Sequence, residues 1–401
     1  MPDAPVKVPV LPPPGVVPRQ MVAAVVRRER YGPPRSAYAL EVVDVPQVRP
    51  GQVLVKVEAA GVNYNGVWAA LGRPLDVIAT RGRLGDPCPF HVGGSDGAGV
   101  VWALGAGVTQ FAIGDHVILS SGLSEDESGA GATPPAWGYE SNWGSFAQFT
   151  VVPAAQCHSK PQQLTWEQAG CFLATAATAW RQLCGWPPHT VQRGDPVLVW
   201  GGAGGLGSMA IQIVRHRGGI PIAVVSSDER ARHCLALGAR GVIDRRDFDH
   251  WGSPPRAEDA AGVARWRAGV RAFQRRFREV LGEPRDPRIV LEHPGEDTLA
   301  TSLHVCDAAG MVVTCGATTG HTTALDLRYL WTRQKRLQGS HYASARECRA
   351  VLDLAARGEL DPCLSEVFPF EEIGQAHQLM LDNLHRPGQM AVRIHPHREE
   401  R

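Results

Sequence analysis

At 401 residues, with 44% apolar and 20% charged side chains, the chain can bury the cores of two ordinary domains. Its net charge of +1 argues against a general nucleic-acid surface, whose affinity rests on many phosphate contacts. No stretch approaches the roughly 18 uninterrupted apolar residues of a membrane span, and nine irregularly spaced cysteines with no C-x-x-C pair argue against a disulfide framework and for a reducing, cytoplasmic compartment.

The elements follow in chain order. Residues 1–21 are proline-rich, lack a signal-peptide apolar core, and read as an extended arm or a disordered tail. The segment 22-VAAVVRRE-29 reads as an opening strand, and 41-EVVDVPQVRPGQVLVKVEAAGVNY-64 as strands broken at the Pro50-Gly51 turn. Short glycine-punctuated strands continue through 96–108, 114–120 and 145–161, so residues 22–165 form a largely β, partly closed domain. Between them, 121-SGLSEDESGAGATPPAWG-138 reads as a long loop.

A helix pattern over 166–186 precedes a βαβ rhythm. Its strands are 196-PVLVW-200, 221-PIAVVSS-227, 241-GVID-244, 288-RIVLEH-293 and 311-MVVTCG-316. The nucleotide-binding domain is assigned to 166–345, and 346–401 to a return towards the first domain, with its sequence pattern beginning near 363. The arginine-rich segment 256–282 admits an RNA or membrane surface; the plainer reading is a solvated helical insertion with alkyl stems over a local core.

The turn 200-WGGAGGLG-207 lies between an apolar strand and a helix pattern. Glycine there permits unusual backbone angles and removes the Cβ that would hold phosphates away from the helix amides. Gly201, Gly204, Gly205, Leu206 and Gly207 are therefore expected to bind a dinucleotide pyrophosphate. Where a ribose-binding acid would mark NAD, the chain has Ser226 and Ser227, followed by Arg230. Hydroxyls plus a guanidinium favour a 2′-phosphate and hence NADPH; Asp228 leaves ribose binding open.

His91, His116, His158, His293, His341, His377 and His385 belong to no H-E-x-x-H or paired Cys/His motif, and no metal is expected.

The blocks 61-GVNYNGVWAALG-72, 137-WGYESNWGSFAQF-149, 164-LTWEQAG-170, 292-EHPG-295, 328-RYLWTRQKRLQGSHYAS-344 and 374-GQAH-377 carry a resemblance. With the glycine turn, they resemble the crotonyl-CoA carboxylase/reductase family, a branch of the zinc-free medium-chain dehydrogenase/reductases, over about residues 22–395. The resemblance implies an α/β fold: a GroES-like β-rich catalytic domain plus a Rossmann doubly wound parallel sheet. It implies NADPH as cofactor, an enoyl-CoA thioester and CO2 as substrates, and a homotetramer. In such enzymes a hydride reaches the β-carbon of a 2-enoyl-CoA, and the α-carbon enolate captures CO2 to give an alkylmalonyl-CoA. A plain enoyl-thioester or quinone reductase of the same superfamily is the alternative; a nucleotide-binding structural protein is a third.

By motif, the family's CO2 pocket falls on Asn65, Tyr139, Glu140 and His341. CO2 has no charge and no net dipole, so oriented donors must hold its oxygens. The Asn65 amide would hold one, and a water bound by Glu140 and His341 the other; Tyr139 would limit the pocket and supply backbone contact. Each has a plainer role: Asn65 as a helix cap near Gly66, Glu140 as an ion pair across a domain seam, His341 as a core histidine. Arg328, Lys335 and Arg336 are candidates for CoA phosphates or a solvated basic face. Trp68, Phe146, Trp180 and Trp331 are candidate acyl-pocket walls or simply core.

Overall fold

The computed structural model describes residues 11–83, 87–122 and 135–395. Residues 123–134 of the expected long loop and residues 1–10 of the arm lie outside them. Leu11 packs against the apolar cluster that contains Met21 and Trp102, and the Gly15 amide donates to the Trp102 carbonyl, so this part of the arm lies along the first domain.

The front half holds β1 (Gln20–Val26), α1 (Pro34–Ala37), β2 (Tyr38–Asp44), β3 (Gln52–Val62), α2 (Tyr64–Leu71) and α3 (Val77–Arg83). It continues with β4 (His91–Val92), β5 (Gly97–Leu104), β6 (His116–Leu119), β7 (Phe149–Pro153) and β8 (Cys157–Ser159). Helices α4 (Trp166–Cys171) and α5 (Leu173–Cys184) lead to β9 (Pro196–Val199), α6 (Gly205–His216), β10 (Ile220–Val225), α7 (Asp228–Ala236) and β11 (Gly241–Asp244). Then come α8 (Ala260–Leu281), β12 (Ile289–Glu292), α9 (Leu299–Val305), β13 (Met311–Thr314), α10 (Arg328–Trp331), β14 (Arg336–Gly339) and α11 (Ala345–Ala356). The chain closes with β15 (Leu364–Pro369), α12 (Ile373–Leu381) and β16 (Gln389–Arg393).

Strand β3 is the spine of the first domain. Val53 to Ala60 pair with β5, while Gln52–Lys56 pair with β7 and Ala59–Val62 with β16. The seven-stranded sheet runs β15-β16-β3-β5-β6-β8, with β7 also on β3; a second sheet is β2-β1-β4. The return from 363 thus supplies β15 and β16 to a sheet begun more than 300 residues earlier.

The other sheet is wholly parallel, in the order β11-β10-β9-β12-β13-β14. This is the doubly wound order with its topological switch beside β9, where the glycine turn leaves the sheet. Five of its strands are legible in the sequence. The sixth, β14, is a short edge strand of alternating exposure, 336-RLQG-339, and has no apolar run to announce it.

Helix α8 is a sheet-covering crossover, not an insertion over a local core. Trp266, Val270, Phe273, Phe277 and Leu281 share one face and pack on Leu198, Ile222, Val224 and Val290 of the sheet. Arg265, Arg271, Arg275 and Arg276 are left exposed.

The expected seams at 166 and 346 fall inside packed units. Helix α4 packs on β3, β5 and β16 of the first domain, whereas α11 packs on α5 of the second. The helix pattern over 166–186 divides at buried Phe172, and the freed Ala174 amide donates to the Asp96 carboxylate at 3.2 Å. Arg181 and Glu347 form a buried ion pair at 2.9 Å that joins α5 to α11.

Glu292, at the end of β12, is fully buried. It accepts from the Gly295 amide at 3.1 Å, the Thr298 hydroxyl at 2.6 Å and the Ser302 hydroxyl. Burial outweighs these donors and pushes its pKa from 4.5 up to about 7. The raised folded-state value means its stabilising contribution is complete below pH 4.5 and is lost as pH rises through about 7. Glu292→Gln, which cannot ionise, should flatten the fall in melting temperature across that interval; a slope equal to the wild type's would refute the assignment.

Candidate nucleotide and carboxylation site

The glycine turn is built for close backbone approach. Gly201 has φ +55°, and a Cβ there would lie 2.6 Å from His293 Nε2. His293 Nε2–H donates to the Trp200 carbonyl at 3.1 Å; burial lowers the imidazole pKa to about 4, so the ring is neutral near pH 7. A Cβ on Gly207 would lie 2.4 Å from the Gly201 carbonyl oxygen and 2.5 Å from Gly202 Cα, so α6 seats directly on the turn. Gly204 is the N-cap of α6 and supplies no side-chain cap, leaving its first amides free for an anion. Leu206 lies in the first turn of α6 and packs on the domain core.

The C-terminal return meets this turn. The Gly388 amide donates to the Ala203 carbonyl at 2.8 Å, and Gly388 bridges to Gly204. Gln389 is buried; a Cβ on Gly205 would lie 2.2 Å from its Oε1, while its Nε2 donates to Thr175 Oγ1 at 2.5 Å. No motif in the sequence marks Gly388 or Gln389 as part of a nucleotide site.

Strand β10 stops at Val225, so Ser226 and Ser227 sit at its end as expected. The Ser227 hydroxyl caps α7, accepting from the Arg230 amide at 3.3 Å. The Arg230 guanidinium reaches the return segment, donating to the carbonyls of Asn383 at 3.1 Å and His385 at 3.3 Å. Asp228, the competing ribose ligand, is 90% exposed and 3.7 Å from Arg246.

Two of the four pocket candidates, Glu140 and His341, meet across the domain seam, while Asn65 contacts Ser95 and Tyr139 contacts Trp68. Asn63 is the N-cap residue of α2, so Asn65 lies inside the first turn and does not cap it. Its Nδ2 donates to Ser95 Oγ at 3.2 Å. Tyr139 and Glu140 lie on a turn over 136–141, where the amides of Tyr139, Glu140 and Ser141 all donate to the Ala136 carbonyl. The Glu140 carboxylate closes that turn by accepting from the Ala136 amide at 2.7 Å. His341 follows β14, and its Nε2 lies 3.7 Å from Glu140 Oε2. The expected ion pair across the seam and the expected pocket pair are therefore the same contact. His341, 48% exposed, is not a core histidine. Tyr139 is buried, with its ring 6.0 Å from Trp68, which stands 5.3 Å from Tyr64.

Among the broader candidates, Trp68 remains beside the site. Phe146 lies in the first domain's core, Trp180 packs at the edge of the second domain's core, and Trp331 is 62% exposed. Lys335 is buried and caps α9, donating to the carbonyls of Leu303 and His304. Arg336 is held by Gln338 and by the Trp186 and Pro187 carbonyls, and exposed Arg328 pairs with Asp326 at 2.6 Å. Among the described residues, no group of three or more His, Cys, Asp or Glu side chains is arranged to hold a metal ion, and no helix is long and apolar enough to cross a membrane.

The two domains, their seam and the glycine turn define a medium-chain dehydrogenase/reductase. A GroES-like domain model of alcohol dehydrogenases matches residues 49–162, and a zinc-binding dehydrogenase model matches residues 205–357. The chain is 44% identical to the crotonyl-CoA carboxylase/reductase of Cereibacter sphaeroides, over 96% of this chain and 90% of that protein. It is 37% identical to a crotonyl-CoA reductase of Streptomyces collinus, over 88% and 81%. Among solved structures, it is similar to the crotonyl-CoA carboxylase/reductase AntE in complex with NADP, with 59% identity, TM-score 0.91 and coverage of 96% and 97%. It is also similar to the 2-octenoyl-CoA carboxylase reductase CinF in complex with NADP and 2-octenoyl-CoA, with 36% identity, TM-score 0.85 and coverage of 94% and 88%. The chain belongs to the crotonyl-CoA carboxylase/reductase family.

The turn geometry yields a direct test. Gly207→Ala drives a methyl group into backbone, which has no flexible end to yield. The dissociation constant for NADPH, measured by fluorescence titration, should rise at least ~10-fold, about 1.4 kcal/mol. An unchanged affinity would show that the turn does not face the dinucleotide.

Proposed function

We propose that this protein reduces a 2-enoyl-CoA with NADPH and carboxylates the resulting enolate to an alkylmalonyl-CoA. The observation that supports the reading is the approach of Glu140 and His341 from two distant segments to 3.7 Å, with Asn65 tied separately to Ser95. NADPH, when bound, supplies the hydride to the β-carbon of the thioester. The turn from Gly201 to Gly207 would receive its pyrophosphate on the uncapped start of α6. Ser226, Ser227 and Arg230 would line its 2′-phosphate side, with Arg230 already held by the return segment.

The residues of the pocket decide what the enolate meets. A carboxamide has two N–H donors. Asn65 spends one on Ser95, which fixes the amide plane and leaves the other for one oxygen of CO2. The 3.7 Å between Glu140 and His341 is too long for a direct hydrogen bond and suits a water shared between them. That water donates to the second oxygen. The enolate's electron pair then becomes the bond from the α-carbon to the CO2 carbon, one C=O π pair moves onto oxygen to give the carboxylate, and the thioester C=O re-forms. Tyr139 and Trp68 cover the site and keep stray proton donors from the carbanion.

The test incubates the protein with NADPH and crotonyl-CoA, with and without bicarbonate plus carbonic anhydrase, and resolves products by mass. Ethylmalonyl-CoA is expected with CO2; butyryl-CoA alone at saturating CO2 would instead establish a plain enoyl reductase. Glu140→Ala and His341→Asn should each move the product ratio towards reduction by ~10-fold or more, the scale of a lost oriented donor. An unchanged ratio would remove those residues from the pocket.

The family's homotetramer is proposed here as well, with a cytoplasmic location that suits nine free cysteines. The parallel sheet ends in β14, whose outer edge has no partner strand among the described residues. Around it Leu327, Trp331 and Leu337 are 56%, 62% and 38% exposed. An unpaired edge with apolar flanks suits a two-fold contact with a second copy. Trp331→Glu should lower the mass found by light scattering on a sizing column; the wild-type mass in that variant would exclude this face.

A further inference from the structure

Three segments that share no sequence neighbourhood supply the pocket, so something must hold them in register. The contacts converge on Ser121. Its hydroxyl donates to the Ser95 carbonyl, and the Ser95 hydroxyl accepts from Asn65. Its own carbonyl accepts from the Trp137 amide at 2.7 Å, at the start of the turn that presents Tyr139 and Glu140. Ser121 is 4% exposed and Ser95 2% exposed, so water does not compete for these bonds.

Tyr342 is the matching anchor on the other domain. It has φ +46°, a conformation that a non-glycine residue holds only when its surroundings impose it. Its ring packs on the second domain's core, and its hydroxyl lies 3.5 Å from Cys348 Sγ on α11. Consecutive side chains here face different partners: Tyr342 reaches Cys348 and His341 reaches Glu140.

We infer that Ser121 and Tyr342 are positioning residues that set the geometry of Asn65, Glu140 and His341 together, and so govern the partition of the enolate between CO2 and a proton. The inference rests on the proposed carboxylation pocket. Neither residue touches the reacting atoms; each acts through the residues it holds. Ser121 bonds Ser95 and the 136–141 turn, while Tyr342 fixes the backbone of His341.

The experiment uses the full-length protein, NADPH, crotonyl-CoA and a bicarbonate series with carbonic anhydrase. Tyr342→Phe keeps the ring and removes only the hydroxyl; Ser121→Ala removes the other; Ser121→Thr restores a hydroxyl. The inference expects the KM for CO2 to rise ~5-fold or more in the first two, the scale of a lost buried hydrogen bond. The carboxylated fraction should fall at limiting CO2, the KM for NADPH should hold, and Ser121→Thr should recover much of the loss. Proportional loss of both products with an unchanged ratio is the signature of a merely structural role and would overturn the inference. If one variant does not fold, the other, with the threonine rescue, still decides. Wild-type protein that forms only butyryl-CoA would instead bring down the pocket reading itself, which separates the two failures.

Discussion

The backbone contact between Gly388 and the Ala203-Gly204 segment is the constraint on which the rest of the site depends. Strand β16 is an interior member of the first domain's sheet, and its lead-in lies directly on the glycine turn of the second. Main-chain bonds fix distance more tightly than side-chain contacts, because no rotamer can absorb a shift. The turn that would carry NADPH is therefore set against β3, whose end leads into Asn65. Gln389 adds a second tie, wedged at Gly205 and bonded to Thr175 at the start of α5.

Much of this architecture is legible in the sequence because it follows local rules. The five apolar strands of the parallel sheet, the glycine turn and the Ser226-Ser227 strand end each have a signature within a few residues. The proposed pocket residues were legible in another way, through a resemblance borne by several separate blocks. The structure brings two of those blocks together: Glu140 and His341, 201 positions apart, stand 3.7 Å from each other.

What was not legible depends on long-range packing. Nothing near Gly388 or Gln389 signals a nucleotide contact; their part follows from which strand β16 joins. Lys335 reads as a surface cation in a basic block, yet its ammonium satisfies the carbonyls at the end of α9. The arginines of α8 read in the sequence as a charged surface, while five apolar residues spaced on one face tie that helix to the sheet. Charge is conspicuous in a sequence, but the buried face decides where a helix lies.

The distribution of burial across the proposed pocket bears on its chemistry. Asn65 is tied to Ser95, itself 2% exposed, whereas the Glu140 and His341 side chains are 34% and 48% exposed. An amide with one N–H already committed loses little freedom when it takes a weak acceptor such as CO2. The Glu140–His341 side is the more solvent-exposed, and on the proposed function that is where a proton would compete for the enolate. Capture of CO2 in the proposed pocket would then require that the open side be held as firmly as the closed one. Glu140 achieves this through its own bond to the Ala136 amide, so that its carboxylate is part of the turn that carries it. Among the described residues His341 makes no comparable hydrogen bond, and it is followed by a left-handed Tyr342 anchored in the second domain. On the proposed function, the fate of the enolate would depend on how rigidly two domains present two facing side chains, as well as on which side chains they are.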